Sequence, residues 1–191
     1  MADLTLDPKT TALVVIDLQK GIVGMPTVPH AAADVVTRSA QLAERFRARR
    51  ALVVLVHVDT GPSGELFPRT IADVERPRMA PAPGWSEIVP ELGPKPGDAV
   101  VTKHQPSAFF GTDLDIHLRR RGITTIVLCG ISTNIGVEST ARTGYEHGYN
   151  LVFVSDAMTA RDADLHTMAV TKYFPTIGRV RTTIEVLAAL G

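Results

Sequence analysis

The chain has 191 residues with 20 basic and 20 acidic side chains, so it is formally neutral and offers no electrostatic footprint for nucleic acid or an anionic membrane. Its 45% hydrophobic content suits one domain spanning 1–191, and its longest apolar runs are strand-sized, far too short to cross a bilayer. The polar start MADLTLDPKT lacks the features of a signal peptide, and the lone Cys129 allows no internal disulfide, which together predict a reducing, cytoplasmic setting.

Short β-branched runs alternate with amphipathic stretches from end to end. The first predicted strand is Ala12–Asp17, followed by a helix over Pro29–Arg50 and a second strand over Ala51–His57. Residues 60–98 then break the rhythm, holding eight of the thirteen prolines with little periodicity. Loops of that length in compact domains serve as lids or binding loops, and a cover over the substrate is expected here. Rhythm resumes with a strand at Ala99–Lys103 and a helix at Asp113–Arg121, which three arginines and Gly122 should end. A strand at Thr124–Cys129, a helix at Asn134–Gly148 and a strand at Leu151–Val154 follow. A helix at Asp162–Phe174, a short strand at Arg179–Arg181 and a last helix at Thr182–Leu190 close the chain. Thr182 and Glu185 have the spacing of a capping box. This βαβ alternation predicts an α/β, doubly wound, six-stranded and mostly parallel sheet of order 3-2-1-4-5-6, flanked by helices.

In such sheets, ligands bind beyond the carboxyl ends of the strands, where strand order reverses. Asp17 ends the first strand, where loss of hydration would raise its pKa unless a cation compensates. Lys103, ending the third strand, is that candidate cation, and a purely structural ion pair is the alternative reading. After the fourth strand comes Gly130-Ile131-Ser132-Thr133-Asn134, where a strand gives way to a helix start whose free N–H groups suit an anion. Together these residues suggest an acid, a cation and an oxyanion cradle.

At these residues the sequence resembles the isochorismatase-like, or cysteine hydrolase, superfamily. The resemblance lies in Val15-Ile16-Asp17-Leu18-Gln19, in Lys103 followed by Ser107-Ala108-Phe109, and in Thr112-Asp113-Leu114. It continues through Gly130-Ile131-Ser132-Thr133-Asn134, Val137-Glu138-Ser139-Thr140-Ala141-Arg142 and Val154-Ser155-Asp156-Ala157, in order over roughly residues 10–170. It implies a six-stranded parallel sheet and a catalytic site of Asp, Lys and Cys, with Asp17 and Lys103 at the first two places. A cis peptide at Ile131–Ser132 is implied as well. Gln19, Phe109, Ile131, Ser132, Thr133 and Ile135 would contact the substrate.

The cysteine position falls on Gly136, which offers no nucleophile, so no acyl-enzyme can form there. Cys129 sits seven residues earlier inside a predicted buried strand, where thiols are inert. Ser132, Thr133 and Ser139 have no histidine placed in sequence to activate them. Isochorismatases proper resemble this chain in having glycine at this position, and their chemistry needs a general acid and a water. The resemblance therefore implies a cysteine-independent, acid-catalysed hydrolysis of an isochorismate-like enol ether by Asp17 and Lys103. A non-catalytic binding or scaffold relative, and an amide hydrolase using activated water, stay open as alternatives. Departures from true isochorismatases occur at His57-Val58-Asp59-Thr60 and Ala82-Pro83-Gly84-Trp85. His57-x-Asp59 reverses the metal motif of the nicotinamidases and lacks a third ligand, so no metal is expected, nor any cofactor. Arg69, Arg76 and Arg78 are candidate carboxylate binders, with ordinary solvated charges as the favoured reading. The expected partners are a small-molecule substrate and further copies of the chain, as a homodimer or higher homo-oligomer, with no nucleic acid or membrane.

Overall fold

The computed structural model describes residues 4–68, 70–74 and 80–191. The chain runs β1 (Thr11–Ile16), α1 (Lys20–Val23), α2 (Ala32–Ala48), β2 (Leu52–Val58), β3 (Ala99–Lys103), α3 (Leu114–Arg119) and β4 (Thr125–Ile131). It continues through α4 (Glu138–Glu146), β5 (Asn150–Thr159), α5 (Ala163–Met168), α6 (Phe174–Ile177), β6 (Arg179–Arg181) and α7 (Thr183–Ala189). Two π-helical turns, Thr133–Val137 and Ala169–Tyr173, lead into α4 and join α5 to α6.

Every residue of β1 is buried, the pattern of a parallel strand covered on both faces. Ala12, Val14 and Ile16 join one core with Leu114 and Leu118 of α3, Ala141 of α4 and Phe174 of α6. Leu13 and Val15 join a second core with Val35, Leu42 and Phe46 of α2 and Val186 of α7. One sheet in the order β3-β2-β1-β4-β5-β6 separates them, as the sequence predicts. All of its pairings are parallel, and β1 lies between β2 and β4, where the strand order reverses. Local signals hold too: Gly122 is left-handed at φ 64°, and Thr182 and Glu185 form the capping box of α7. No helix among the described residues is long and apolar enough to cross a membrane.

One strand departs from its predicted bounds. The fifth strand was expected to stop at Val154, but β5 continues to Thr159. Its register shifts opposite Leu128 to Gly130, and pairing resumes at Gly130 with Met158. The polar pair Ser155 and Asp156 that interrupts the apolar run sits in this irregularity rather than after the strand. Asp156 Oδ1 instead accepts hydrogen bonds from the N–H and hydroxyl of Thr183, at 2.7 and 2.9 Å. Gly130 is required there. Its φ is 118°, and a Cβ would lie 2.1 Å from the carbonyl oxygen of Ile16.

The proline-rich segment, expected as a cover over the substrate, is pinned along its returning limb. Lys20 N–H donates to Glu87 O and Gly21 N–H to Trp85 O, each at 2.9 Å, and Val89 N–H donates to Leu18 O at 3.1 Å. Lys20 and Glu87 also form an ion pair. Further along, the Arg47 guanidinium from α2 grips both oxygens of Asp98, at 3.1 and 2.7 Å, and the carbonyl of Leu92 at 2.6 Å. Val89 and Leu92 are buried in the second core, which supplies an apolar reason for the limb to stay down.

Candidate active site

Asp17 lies one residue past β1, with a left-handed φ of 55° that Asp tolerates better than most residues. Lys103, the last residue of β3, reaches over the end of β2, and its Nζ stands 2.9 Å from Asp17 Oδ2. The same ammonium donates to Pro106 O at 2.7 Å. Asp17 is 7% exposed and Lys103 1%. Asp17 Oδ1 is buried and has no hydrogen-bond partner among the described residues. Burial therefore outweighs the attraction of Lys103, its hydrogen bond and the charge of His57, and holds the Asp17 carboxyl above the ordinary carboxylate range.

Gly136 completes the cluster. A Cβ placed on it would lie 2.8 Å from Ile16 Cγ2, 2.9 Å from Asp17 Oδ2 and 3.1 Å from Lys103 Nζ. A cavity of about 190 Å³ opens over these three residues, lined also by Ile131, Ser132 and Ile135. The Ile131–Ser132 peptide is cis, as the resemblance implies. Ser132 leads into the π-helical turn, and its carbonyl accepts from the N–H groups of Ile135 and Val137, each at 3.2 Å.

Three residues expected to touch substrate do not line this cavity. Gln19 is fully buried as a staple: its amide donates to Val58 O at 2.9 Å and Trp85 O at 3.2 Å and accepts from Val58 N–H at 2.7 Å. Phe109 packs in the core, stacked on His147 and Tyr149. Thr133 is fully buried, with Oγ1 2.8 Å from His166 Nδ1. The sequence places no histidine beside Thr133, and His166 reaches it through space from α5, thirty-three residues away. Burial and the neighbouring His30 push its pKa down to about 4, so His166 is neutral near pH 7. Arg69, Arg76 and Arg78 lie outside the described residues.

Other walls had no clear signal in the sequence. Trp85 and Phe67 come from the proline-rich segment, Ile22 and Met25 from α1 and its end, and Arg161 from the turn between β5 and α5. The Trp85 indole occupies the space where Gly21 would carry a Cβ, which would meet Trp85 Cδ1 at 1.9 Å. His57 is engaged at both ring nitrogens, with Ser86 O at 2.9 Å and Thr102 Oγ1 at 2.8 Å. Among the described residues no cluster of three His, Cys, Asp or Glu could hold a metal.

Cys129 is buried in β4 within the second core, and burial pushes its thiol up to about 12. Such a thiol is neither ionised nor reachable near pH 7. Iodoacetamide should therefore leave turnover intact. Cys129→Ser should lower the unfolding midpoint by an amount worth about 1–3 kcal/mol at unchanged kcat/KM. Activity lost on alkylation of a still-folded protein would contradict a cysteine-free site.

Residues 11–185 match the isochorismatase domain family. A solved isochorismatase family protein from Burkholderia thailandensis is 52% identical with a TM-score of 0.94, and the match covers 99% of both chains. The isochorismatase family protein YecD of Escherichia coli O157:H7 is 46% identical over 187 residues, 98% of this chain and 100% of its own. The secreted isochorismatase effector Isc1 of Verticillium dahliae is 32% identical over 162 residues, covering 83% of this chain and 77% of its own.

Proposed function

The chain belongs to the isochorismatase family of hydrolases, and on that premise we propose that it hydrolyses a small enol ether of the isochorismate kind without a cysteine nucleophile. The observation that carries this reading is the close approach at Gly136, whose bare backbone brings no nucleophile to the buried Asp17–Lys103 pair: even a Cβ would lie 2.9 Å from Asp17 Oδ2 and 3.1 Å from Lys103 Nζ. Glycine rules out covalent catalysis at this position, and with no side chain there the Asp17 carboxyl stays part of the cavity wall that a substrate carbon would meet.

Asp17 acts as the general acid. Its pKa is held up by burial, so a larger share of it carries a proton than an exposed carboxyl would at the same pH. The proton passes to the terminal vinyl carbon of the enol ether and leaves an oxocarbenium ion. Water adds to that ion, and the hemiketal collapses to a keto acid and an alcohol. One proton from the water returns to Asp17, so the cycle closes. Lys103 favours the step because the carboxylate formed by proton donation is its ion-pair partner at 2.9 Å. The apolar walls Trp85, Phe67 and Ile135 limit the water that competes for this proton.

The pH dependence follows from the protonation state required. An acid catalyst works below its pKa, so kcat/KM should be level at low pH and fall tenfold per unit as pH rises past the elevated pKa of Asp17. The test is a pH–rate profile on isochorismate and simple vinyl ethers, run beside small amides. Turnover of the enol ethers with that alkaline fall, and none of the amides, is the expected result. Amide cleavage rising with pH would replace this reading with activated water.

A further inference from the structure

Arg161 follows the end of β5 and precedes α5, at the carboxyl edge of the sheet, and it lines the same cavity as Asp17 and Gly136. Its guanidinium makes no hydrogen bond or ion pair with any described residue. The neighbouring carboxylate is occupied elsewhere: Asp162 Oδ1 caps α5, accepting from the N–H groups of Asp164 and Leu165 at 2.8 and 3.1 Å. The cavity's other cation, Lys103, is already held by Asp17 and Pro106 O. Arg161 thus brings a positive charge that nothing described in the cavity neutralises.

Resting on the hydrolase reading above, we propose that Arg161 is the anion anchor of this site and that the substrate carries a carboxylate held by its guanidinium. The chemistry suits the group. A planar guanidinium presents paired N–H donors that match both oxygens of a carboxylate. Arg161 is itself exposed, at the rim of the cavity that Trp85, Phe67 and Ile135 also line, so its guanidinium is reachable by a charged group entering from solvent. One guanidinium is one anchor, and a cavity of about 190 Å³ admits only a small molecule beside it. Binding and catalysis are then linked, because a carboxylate brought into the cavity disfavours ionisation of Asp17 and favours its acid form.

The test uses unreactive probes, so that binding is read apart from chemistry. 2-Cyclohexyloxypropanoate has the ether and carboxylate but no vinyl carbon to protonate, and its methyl ester lacks only the charge. Calorimetric titration of the wild type should show the acid binding at least tenfold more tightly than the ester, about the contribution of one charge-assisted contact. Arg161→Gln should bind both alike, and Arg161→Lys should recover part of the preference, since charge returns without the fork. Equal binding by the wild type, no binding of either probe, or a preference that survives in Arg161→Gln would overturn the anchor. The two readings fail separately. An acid preference abolished by Arg161→Gln, in a protein that turns over no enol ether, keeps the anchor and removes the hydrolysis. Turnover of enol-ether acids at an unchanged KM in Arg161→Gln does the reverse.

Discussion

Asp17→Asn should lower kcat/KM on the enol ether by about 10²- to 10⁴-fold, the cost of losing a positioned general acid. Asn keeps the volume and a carbonyl oxygen for Lys103 but has no acidic proton to give. Stability should fall as well, because the substitution leaves a 1% exposed ammonium without its counter-ion. Removing one partner of a buried pair costs about 3–5 kcal/mol. The two losses can be separated. In the double variant Asp17→Asn with Lys103→Met no unpaired charge remains, so the unfolding midpoint should recover most of the way while turnover stays absent. Removal of the exposed Lys20–Glu87 pair by Glu87→Gln should move stability by less than about 1 kcal/mol. Turnover surviving in Asp17→Asn within a factor of ten would end the role of Asp17 as the acid.

Gly136→Cys should have the second large effect, in two directions at once. Gly136 is not among the positive-φ glycines, so space and not backbone conformation is the obstacle. A Cβ would press on Ile16 Cγ2 at 2.8 Å and Asp17 Oδ2 at 2.9 Å, and overpacking of that kind costs about 1–3 kcal/mol. Turnover of the enol ether should fall by about 10²-fold or more, because the side chain fills the approach to Asp17 and a 1 Å displacement costs that much. The new thiol, meanwhile, would sit beside the Lys103 ammonium, which lowers a thiol pKa. Rapid alkylation of that one sulfur should appear, with some ester or amide cleavage. If the variant folds, its thiol reacts no faster than free cysteine and the wild type turns over nothing, the site binds without catalysing.

The parts of this site legible in the sequence are those that interrupt a pattern. Asp17 and Lys103 close near-continuous apolar runs and are visible without neighbours, whereas Gly136 is singled out only by the resemblance, as the position of the family's cysteine. Gln19 and Phe109 stand beside such markers, and adjacency misleads, since orientation is decided by what each side chain meets in space. Gln19 meets the end of β2 and the returning proline-rich limb, and Phe109 meets Tyr149 from beyond α4. Arg161 is missed for a related reason. Ser155 and Asp156 break the apolar run and conceal that β5 continues to Thr159, which puts Arg161 near the edge where ligands bind. Trp85 and Phe67 come from a segment without periodicity, and only the tertiary fold tells which of its apolar residues turn inward.

The pinned return of the proline-rich segment has a consequence for how this scaffold can diversify. Residues 85–89 are tied to 18–21 through main-chain hydrogen bonds and the buried Gln19 amide, so inserting or deleting there would leave several buried polar groups without partners. In the described part of the outgoing limb the main-chain hydrogen bonds, Gly64 N–H to Gly61 O and Leu66 N–H to Thr60 O, stay within the limb, and Ile71 and Val74 stand in solvent. Length and composition can therefore drift on one side of the cavity mouth while the other keeps Trp85 and the acid in register. Exchanging the outgoing limb between relatives is accordingly the economical route to a new substrate preference, because it alters one wall and leaves the proton donor undisturbed.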